Sequence, residues 1–104
     1  MSPAVAVVGP GGDVADDLLA AAYEIGRALG VRGITVVTGG LDGVMAAACR
    51  GAADAGGLTV GLLPGTDRSE ANPWVRVAVP TGLGEGRNVL VVRAADAGDR
   101  AGGR

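Results

Sequence analysis

Short, uninterrupted apolar runs alternate with longer segments in which apolar residues recur every three or four positions. A short continuous run bounded by turn residues is typical of a buried strand, and the longer spacing is typical of an amphipathic helix. In the amino-terminal part of the chain this pattern predicts strands at 4–8, 34–38 and 58–63 and helices at 14–29 and 44–55.

The order strand, helix, strand, helix, strand, with short joints, indicates a parallel sheet with right-handed crossovers. The predicted fold class is therefore α/β, a Rossmann-like three-layer domain with a mostly parallel sheet. We expect Asp13 or Asp16 to cap the first helix and Gly30 and Gly33 to end it.

The pattern changes after the third strand. A polar loop at 66–73 precedes a predicted edge strand at 74–79, and a third helix follows at 84–95. We interpret residues 1–97 as one domain that is truncated after this helix, and residues 98–104 as a disordered tail, because the tail is rich in glycine and charge. The apolar face of the third helix is predicted to consist of Val89, Leu90 and Val92.

Composition narrows the function classes. The formal net charge is −2 with scattered basic residues, which argues against a nucleic-acid-binding surface. No segment is long and apolar enough to span a membrane. Because the sequence has no histidine, it lacks the commonest general base and metal ligand, so we expect no metal site. A single cysteine, Cys49, fits a reducing cytoplasm and is interpreted as a buried small hydrophobic residue.

The turn after the second predicted strand is the best candidate for a ligand site. In an open parallel sheet, ligands bind beyond the carboxyl ends of the strands. The next helix, starting at Val44, would offer free N–H groups and a positive dipole end to an anion. The same glycines would equally fit a tight turn that binds nothing, and Asp42 would then simply cap the helix. The candidate phosphate-binding residues here are Thr38, whose hydroxyl would donate, and Gly39, Gly40, Gly43 and Val44.

One further turn reaches the same edge of the sheet, and the start of the third helix offers another candidate anion contact. Gly9, Gly11 and Gly12 could supply a second anion contact, although the intervening Pro10 has no N–H to donate. Arg87 and Asn88 begin the third helix, where an arginine can bind a phosphate through two parallel hydrogen bonds. From the residues alone, a solvated Arg87 is the better interpretation. Trp74 could stack on a base, but we expect it to anchor its loop in the core.

Several spaced motifs carry a family resemblance. The chain resembles the Lonely Guy (LOG) and lysine-decarboxylase-like superfamily, which is related to DNA-processing protein A, and is most similar to the molybdenum-cofactor carrier subgroup. The resemblance covers about residues 4–97. The motifs are Val36–Met45, with its Thr-Gly-Gly-Leu-Asp-Gly core, Gly51–Ala52, Gly56–Gly57, Val60–Gly65, Arg68–Pro73 and Thr81–Asn88.

The resemblance implies a Rossmann-like fold, usually dimeric, that binds a nucleotide-like or pterin-phosphate ligand. No resident cofactor is implied, although nucleotide or molybdenum cofactor could be bound. In the enzymatic branch of the superfamily a nucleoside monophosphate loses its base by N-glycosidic hydrolysis, and Arg87 matches the catalytic arginine. The partner glutamate of that branch lies in a Pro-Gly-Gly-x-Gly-Thr-x-x-Glu motif, which this sequence does not contain.

Three functions stay open at this point. The leading hypothesis is a small-molecule binding protein without complete catalytic machinery. The second is a nucleoside 5'-monophosphate phosphoribohydrolase that a second chain completes, and the third is an inert structural or interaction subunit. Because the strand that would pair beside residues 4–8 is missing, we also expect a homodimer or higher oligomer through that exposed edge.

Overall fold

Four parallel strands form the centre of the fold. The computed structural model describes residues 3–9 and 11–95, so the predictions for Pro10 and for the tail at 98–104 lie outside the described residues. The strands are β1 (Ala4–Ala6), β2 (Thr35–Thr38), β3 (Thr59–Leu63) and β4 (Val77–Pro80), and they lie side by side in that order. The predicted α/β class with a parallel sheet is confirmed.

Helices cover both faces of the sheet. They are α1 (Asp16–Val31), α2 (Val44–Asp54) and α3 (Arg87–Ala94), and short 3₁₀ turns occur at Arg68–Glu70 and Gly84–Gly86. On the α3 face, Val91 packs with Val37 and Leu62 in one buried cluster. Since neighbouring strand residues point to opposite faces, Thr38 points to the other side, where its hydroxyl contacts Cys49 of α2.

The α1–α2 contact is made of very small residues. The buried positions of α1 are Ala22, Gly26 and Gly30. A methyl group at Gly26 would lie 2.7 Å from the carbonyl carbon of Ala48, so the two backbones touch with no room for side chains. Of the larger apolar residues of α1, Leu19 and Leu29 are half-buried, and Leu18, Ile25 and Val31 are exposed.

Helix ends differ from the predictions at both N-termini. The residue before α1 is Ala15, which has no side-chain oxygen, so the prediction that Asp13 or Asp16 caps this helix is wrong. The residue before α2 is Gly43 at φ 69°, and Asp42 does not cap that helix. At the other end, α1 continues through Gly30 to Val31 before Gly33 adopts a φ of 72°.

The second half of the chain holds its predicted elements with shifted bounds. The edge strand begins at Val77 rather than at residue 74, and Trp74 lies in the preceding loop with 36 % of its surface exposed, so it is not a core anchor. The residues predicted as the first turn of α3 form the 3₁₀ turn Gly84–Gly86 instead. Val91 is buried on the face of α3 that packs on the sheet. Val89, Leu90 and Val92 are exposed, so the predicted apolar face of this helix is wrong.

The first strand lies at one edge of the sheet, as predicted, and pairs with β2 among the described strands. The longest helix of the described part of the chain is α1, with 16 residues. None of the helices described is long and apolar enough to cross a membrane.

Candidate functional site

A cavity of about 420 Å³ opens at the carboxyl ends of the first strands. Ligands of parallel α/β sheets bind at this position because the loops that follow the strands converge there. Half of the residues that the sequence suggested as ligand contacts are brought together here, and they come from three separate loops. Those lining the cavity are Gly9, Gly11, Gly39, Arg87 and Asn88; the other lining residues are Val8, Leu41, Met45 and Glu85.

Arg87 is buried, with 3 % of its surface exposed, so the interpretation of a solvated helix residue is wrong. Its Nε donates to the carbonyl of Leu62 at 3.0 Å, which ties the guanidinium to the end of β3. Its Nη1 donates to Asn88 Oδ1 at 2.8 Å and to Glu85 Oε2 at 3.2 Å. These three hydrogen bonds fix the plane of the guanidinium in the wall of the cavity.

The second terminal nitrogen of Arg87 differs from the other two nitrogens of the guanidinium. Nη2 has no hydrogen-bond partner among the described residues, and no side-chain nitrogen or oxygen of that part of the chain is both fully buried and unpaired. Nη2 is therefore accessible from the cavity. It lies against Gly39, where a methyl group would come within 2.8 Å of it.

The turn after β2 is held by its own hydrogen bonds. Thr38 is fully buried, and its hydroxyl accepts from the Gly40 N–H at 2.9 Å. Accepting this bond does not use the hydroxyl hydrogen, so the donation from Thr38 to a ligand stays a prediction. Gly40, at φ 80°, donates its N–H to Thr38 and packs against Leu63, so it shapes the turn.

Asn72 is a structural residue of the site that the sequence analysis missed. It is 8 % exposed, and its side-chain amide donates to the carbonyls of Leu41 at 2.8 Å and Gly40 at 3.3 Å. Its Oδ1 accepts from the Trp74 N–H. No spacing pattern signals this role, because the contact joins the polar loop to a turn that lies 31 residues earlier.

Asp42 links two of the glycine-rich loops. Its Oδ1 accepts from the Gly12 N–H at 2.9 Å, which fixes the loop after β1 beside the turn after β2. A methyl group at Gly11 would lie 3.0 Å from the same oxygen. The carboxylate therefore sets the separation of the two loops instead of capping α2.

The remaining predicted site residues lie elsewhere. Gly12 and Gly43 line a different, shallower groove of about 530 Å³ between α1 and α2, together with Tyr23, Arg50 and Trp74. The Arg50 guanidinium carbon lies 5.7 Å from the centre of the Tyr23 ring and 5.8 Å from that of Trp74. Val44 is buried.

Cys49 packs beneath the turn after β2. Its thiol lies 3.6 Å from the Thr38 hydroxyl, and burial raises the pKa of the thiol while hydrogen bonding from Thr38 and Asn72 acts in the opposite direction. A buried thiol with a raised pKa stays protonated at neutral pH and is a poor nucleophile. The interpretation of Cys49 as a buried small residue is confirmed.

The charged residues that line the cavity are Glu85, at its exposed rim, and the buried Arg87. Within the described part of the chain, no group of three or more His, Cys, Asp or Glu side chains could hold a metal ion. The site thus offers a fixed guanidinium donor and glycine-lined walls.

Comparison with solved structures finds proteins that are similar in fold and in sequence. The fold is similar to the molybdenum cofactor binding protein of Rippkaea orientalis, with a TM-score of 0.89 and 37% sequence identity over 92% of this chain and 60% of that protein. It is also similar to the molybdenum cofactor carrier protein of Chlamydomonas reinhardtii, with a TM-score of 0.84 and 37% identity over 92% of this chain and 59% of that one.

Sequence comparison gives the same result. An uncharacterized protein of Archaeoglobus fulgidus is 33% identical over 93 residues, which are 89% of this chain and 60% of that protein. The chain thus spans about 60% of the length of the relatives that it matches. The likeness to molybdenum-cofactor carrier proteins that the motifs indicated is confirmed. Since the model of the SLOG cluster4 family matches residues 2–98, the chain belongs to that family.

Proposed function

We propose that this protein binds a pterin-phosphate ligand of the molybdenum-cofactor type in the cavity of Arg87. The observation that carries the proposal is the accessible Nη2 of this otherwise buried and fully anchored guanidinium. A guanidinium fixed by three hydrogen bonds loses little conformational entropy when it binds a phosphate, and its hydrogen bond to the anion is charge-assisted.

The cavity fits such a ligand in size and in the nature of its walls. Its volume of about 420 Å³ lies within the range of small-molecule sites. Gly39 faces the guanidinium without a side chain, so a phosphate oxygen can approach Nη2. The backbone at Gly9 and Gly11 leaves a second wall free of side chains. Leu41 and Met45 offer apolar surface for the ring system.

The relatives support this choice of ligand. The proteins of Rippkaea orientalis and Chlamydomonas reinhardtii are described as binding and carrying the molybdenum cofactor. Both extend well beyond the region shared with this chain, so we restrict the proposal to binding. In it, Asn88 orients Arg87 through the Nη1 hydrogen bond.

Calorimetric titration of the full chain with a pterin phosphate tests the proposal. Loss of one charge-assisted hydrogen bond costs about 1.5–3 kcal/mol, which is about a 10- to 150-fold loss of affinity. We expect a loss of this size in Arg87→Lys, whose ammonium cannot reproduce the fixed fork. Arg93→Lys, on the exposed side of the same helix, should bind like the wild type. If the wild type does not bind, the proposal is wrong and an inert structural role is favoured. If Arg87→Lys binds as tightly as the wild type, the ligand does not bind in the cavity of Arg87.

A second candidate function is N-glycosidic hydrolysis of a nucleoside monophosphate. It is favoured by Glu85, a carboxylate at the rim of the cavity that is 3.2 Å from Arg87 Nη1. In this scheme Arg87 binds the phosphate, and a second chain supplies the missing glutamate. Release of free adenine from adenosine monophosphate would support this function if the release is lost in Glu85→Gln. Loss of the release on addition of a binding-defective chain would support it as well. Binding of adenosine monophosphate without adenine release would leave the binding function.

A further inference from the structure

The groove between α1 and α2 is a second concave surface, separate from the cavity of Arg87. Its volume is about 530 Å³, and the two spaces share no lining residue. Ala20 of α1 and Ala46 and Ala47 of α2 line the groove, and such small side chains let a flat ring approach both helices. Sites for small molecules are lined mainly by apolar and aromatic side chains with a few polar groups. The groove has this composition, and the proposed function does not use it.

Two aromatic residues that line the groove are held in place by hydrogen bonds. The Tyr23 hydroxyl of α1 donates to Asp54 Oδ2 of α2 at 2.6 Å. This hydrogen bond raises the pKa of the Tyr23 phenol, which therefore keeps its proton at neutral pH. The Trp74 N–H donates to Asn72 Oδ1 at 3.0 Å, and the Trp74 carbonyl accepts from the Thr59 hydroxyl at 2.6 Å. Because both residues are already ordered, a ligand that contacts their rings pays little of the usual entropic cost.

The Arg50 guanidinium lies beside both rings. Its carbon is 5.7 Å from the centre of the Tyr23 ring and 5.8 Å from that of Trp74, within the range of cation–π attraction. These contacts use none of its N–H donors. Within the described part of the chain, the Arg50 guanidinium makes no hydrogen bond or ion pair. The rings thus hold a cation in the wall of the groove, and its planar set of donors matches the geometry of a carboxylate.

The other charges around the groove favour a ligand with a single negative charge. Glu24 lines the groove, and Asp54 is bound to the Tyr23 hydroxyl. On the positive side, Arg27 and Arg50 both act electrostatically on the Tyr23 phenol. Two carboxylates therefore oppose two guanidinium groups, and they repel a phosphate dianion more strongly than a monoanion.

We propose that the groove between α1 and α2 binds a small planar aromatic carboxylate. Its ring lies against the alanine-lined wall beside Tyr23 and Trp74, and its carboxylate accepts two parallel hydrogen bonds from Arg50. This site is independent of the ligand proposed for the cavity of Arg87, so either proposal can fail without the other.

Titration of the full chain with 2-naphthoate tests the site, and NMR locates the bound ligand. Trp74 is the only tryptophan of the chain, so a nitrogen-labelled sample gives a single indole N–H signal that reports on this groove. We expect 2-naphthoate to shift that signal to saturation. It should bind at least about tenfold more tightly than the uncharged 2-naphthamide, the effect of a charge-assisted hydrogen bond. Tighter binding of 2-naphthyl phosphate than of 2-naphthoate would contradict the choice of a carboxylate.

Arg50→Gln tests the residue that selects the anion. It should weaken the binding of 2-naphthoate at least about tenfold and leave that of 2-naphthamide unchanged. Arg93→Gln is the matched control, because Arg93 is also exposed and lies on α3. It should bind 2-naphthoate like the wild type. Circular dichroism of both variants checks that the fold is kept, and the comparison of ligands on the wild type needs no variant.

Three results would overturn the proposal. The first is a wild type that does not bind 2-naphthoate, or that binds it no better than 2-naphthamide. The second is equal affinity of Arg50→Gln and the wild type for 2-naphthoate. The third is binding that leaves the Trp74 indole signal unmoved and is lost in Arg87→Lys, which would place the anion in the other cavity.

Discussion

At the residue scale, the candidate site depends on one arginine and the glycine that faces it. The guanidinium of Arg87 is anchored to Leu62, Glu85 and Asn88, and Gly39 leaves its remaining nitrogen uncovered. Glycine is needed at position 39 because the Arg87 guanidinium leaves no room for a side chain there. The φ of Gly39 is not positive, so the backbone conformation does not itself require glycine. The sequence pattern identified both residues, but it gave no reason to bring them together.

A methyl group at Gly39 should impair binding with little effect on the backbone. In Gly39→Ala, the new Cβ would lie 2.8 Å from Arg87 Nη2 and 3.0 Å from its Cζ, so the guanidinium must shift away from its anchors. We expect affinity for a pterin phosphate to fall about tenfold, the effect of losing about 1.4 kcal/mol.

Gly86→Ala is the control for this substitution. Gly86 has helical backbone angles, and the nearest atom to its added Cβ would be 3.8 Å away. Titration calorimetry should find its affinity unchanged. Equal affinities for Gly39→Ala and the wild type would show that the guanidinium can move without consequence, and the role given to Gly39 would be wrong.

At the element scale, the packing of α1 on α2 decides which residues are buried. The helical pattern correctly predicted where both helices lie along the chain. It showed the buried face of α1 only in part: of the recurring apolar residues at 18, 22, 25 and 29, Ala22 is buried and Leu29 is half-buried, whereas Leu18 and Ile25 are exposed. Gly26 and Gly30 complete the contact with α2. Close backbone contact is favourable here because it brings many atoms into van der Waals range.

This contact predicts an unusual sign for a glycine substitution. Replacing a helical glycine by alanine normally stabilises a helix by about 0.5–1 kcal/mol. In Gly26→Ala, however, the methyl group would overlap the Ala48 carbonyl of α2, so the helices must separate. We expect a net loss of about 1–3 kcal/mol or more. Thermal unfolding should show a fall of at least about 4 °C.

Ala20→Gly provides the comparison on the same helix. Ala20 is exposed, so this change should cost only about 1 kcal/mol of helix propensity. A Gly26→Ala protein that melts at or above the wild-type temperature would show that α1 and α2 have room between them, contrary to the close packing described above.

At the scale of the whole molecule, contacts between distant loops close the site. Asn72 joins the polar loop before β4 to the turn after β2, and Asp42 joins that turn to the loop after β1. These hydrogen bonds hold the three loops at one edge of the sheet. The cavity is therefore a product of tertiary structure and not of any single motif.

Removing the Asn72 side chain should destabilise the whole fold. Asn72→Ala leaves the carbonyl of Leu41 and the N–H of Trp74 without their partner. An unsatisfied buried polar group costs about 1–3 kcal/mol, so the melting temperature should fall by at least about 4 °C. Ser69→Ala, in the same loop but exposed, should melt like the wild type. If the two variants have the same melting temperature, water replaces the Asn72 amide and its hydrogen bonds are not needed for stability.

The sequence by itself determined the α/β class and the strand and helix order, and it indicated the edge of the sheet where we expect a ligand. It could do so because apolar spacing and glycine placement are local signals. Tertiary structure alone decided that Arg87 is buried, that the Thr38 hydroxyl accepts a hydrogen bond within its own turn, and that Leu18 and Ile25 face outward. These outcomes depend on which side chains occupy a shared volume after the helices pack, and spacing along the chain does not encode that.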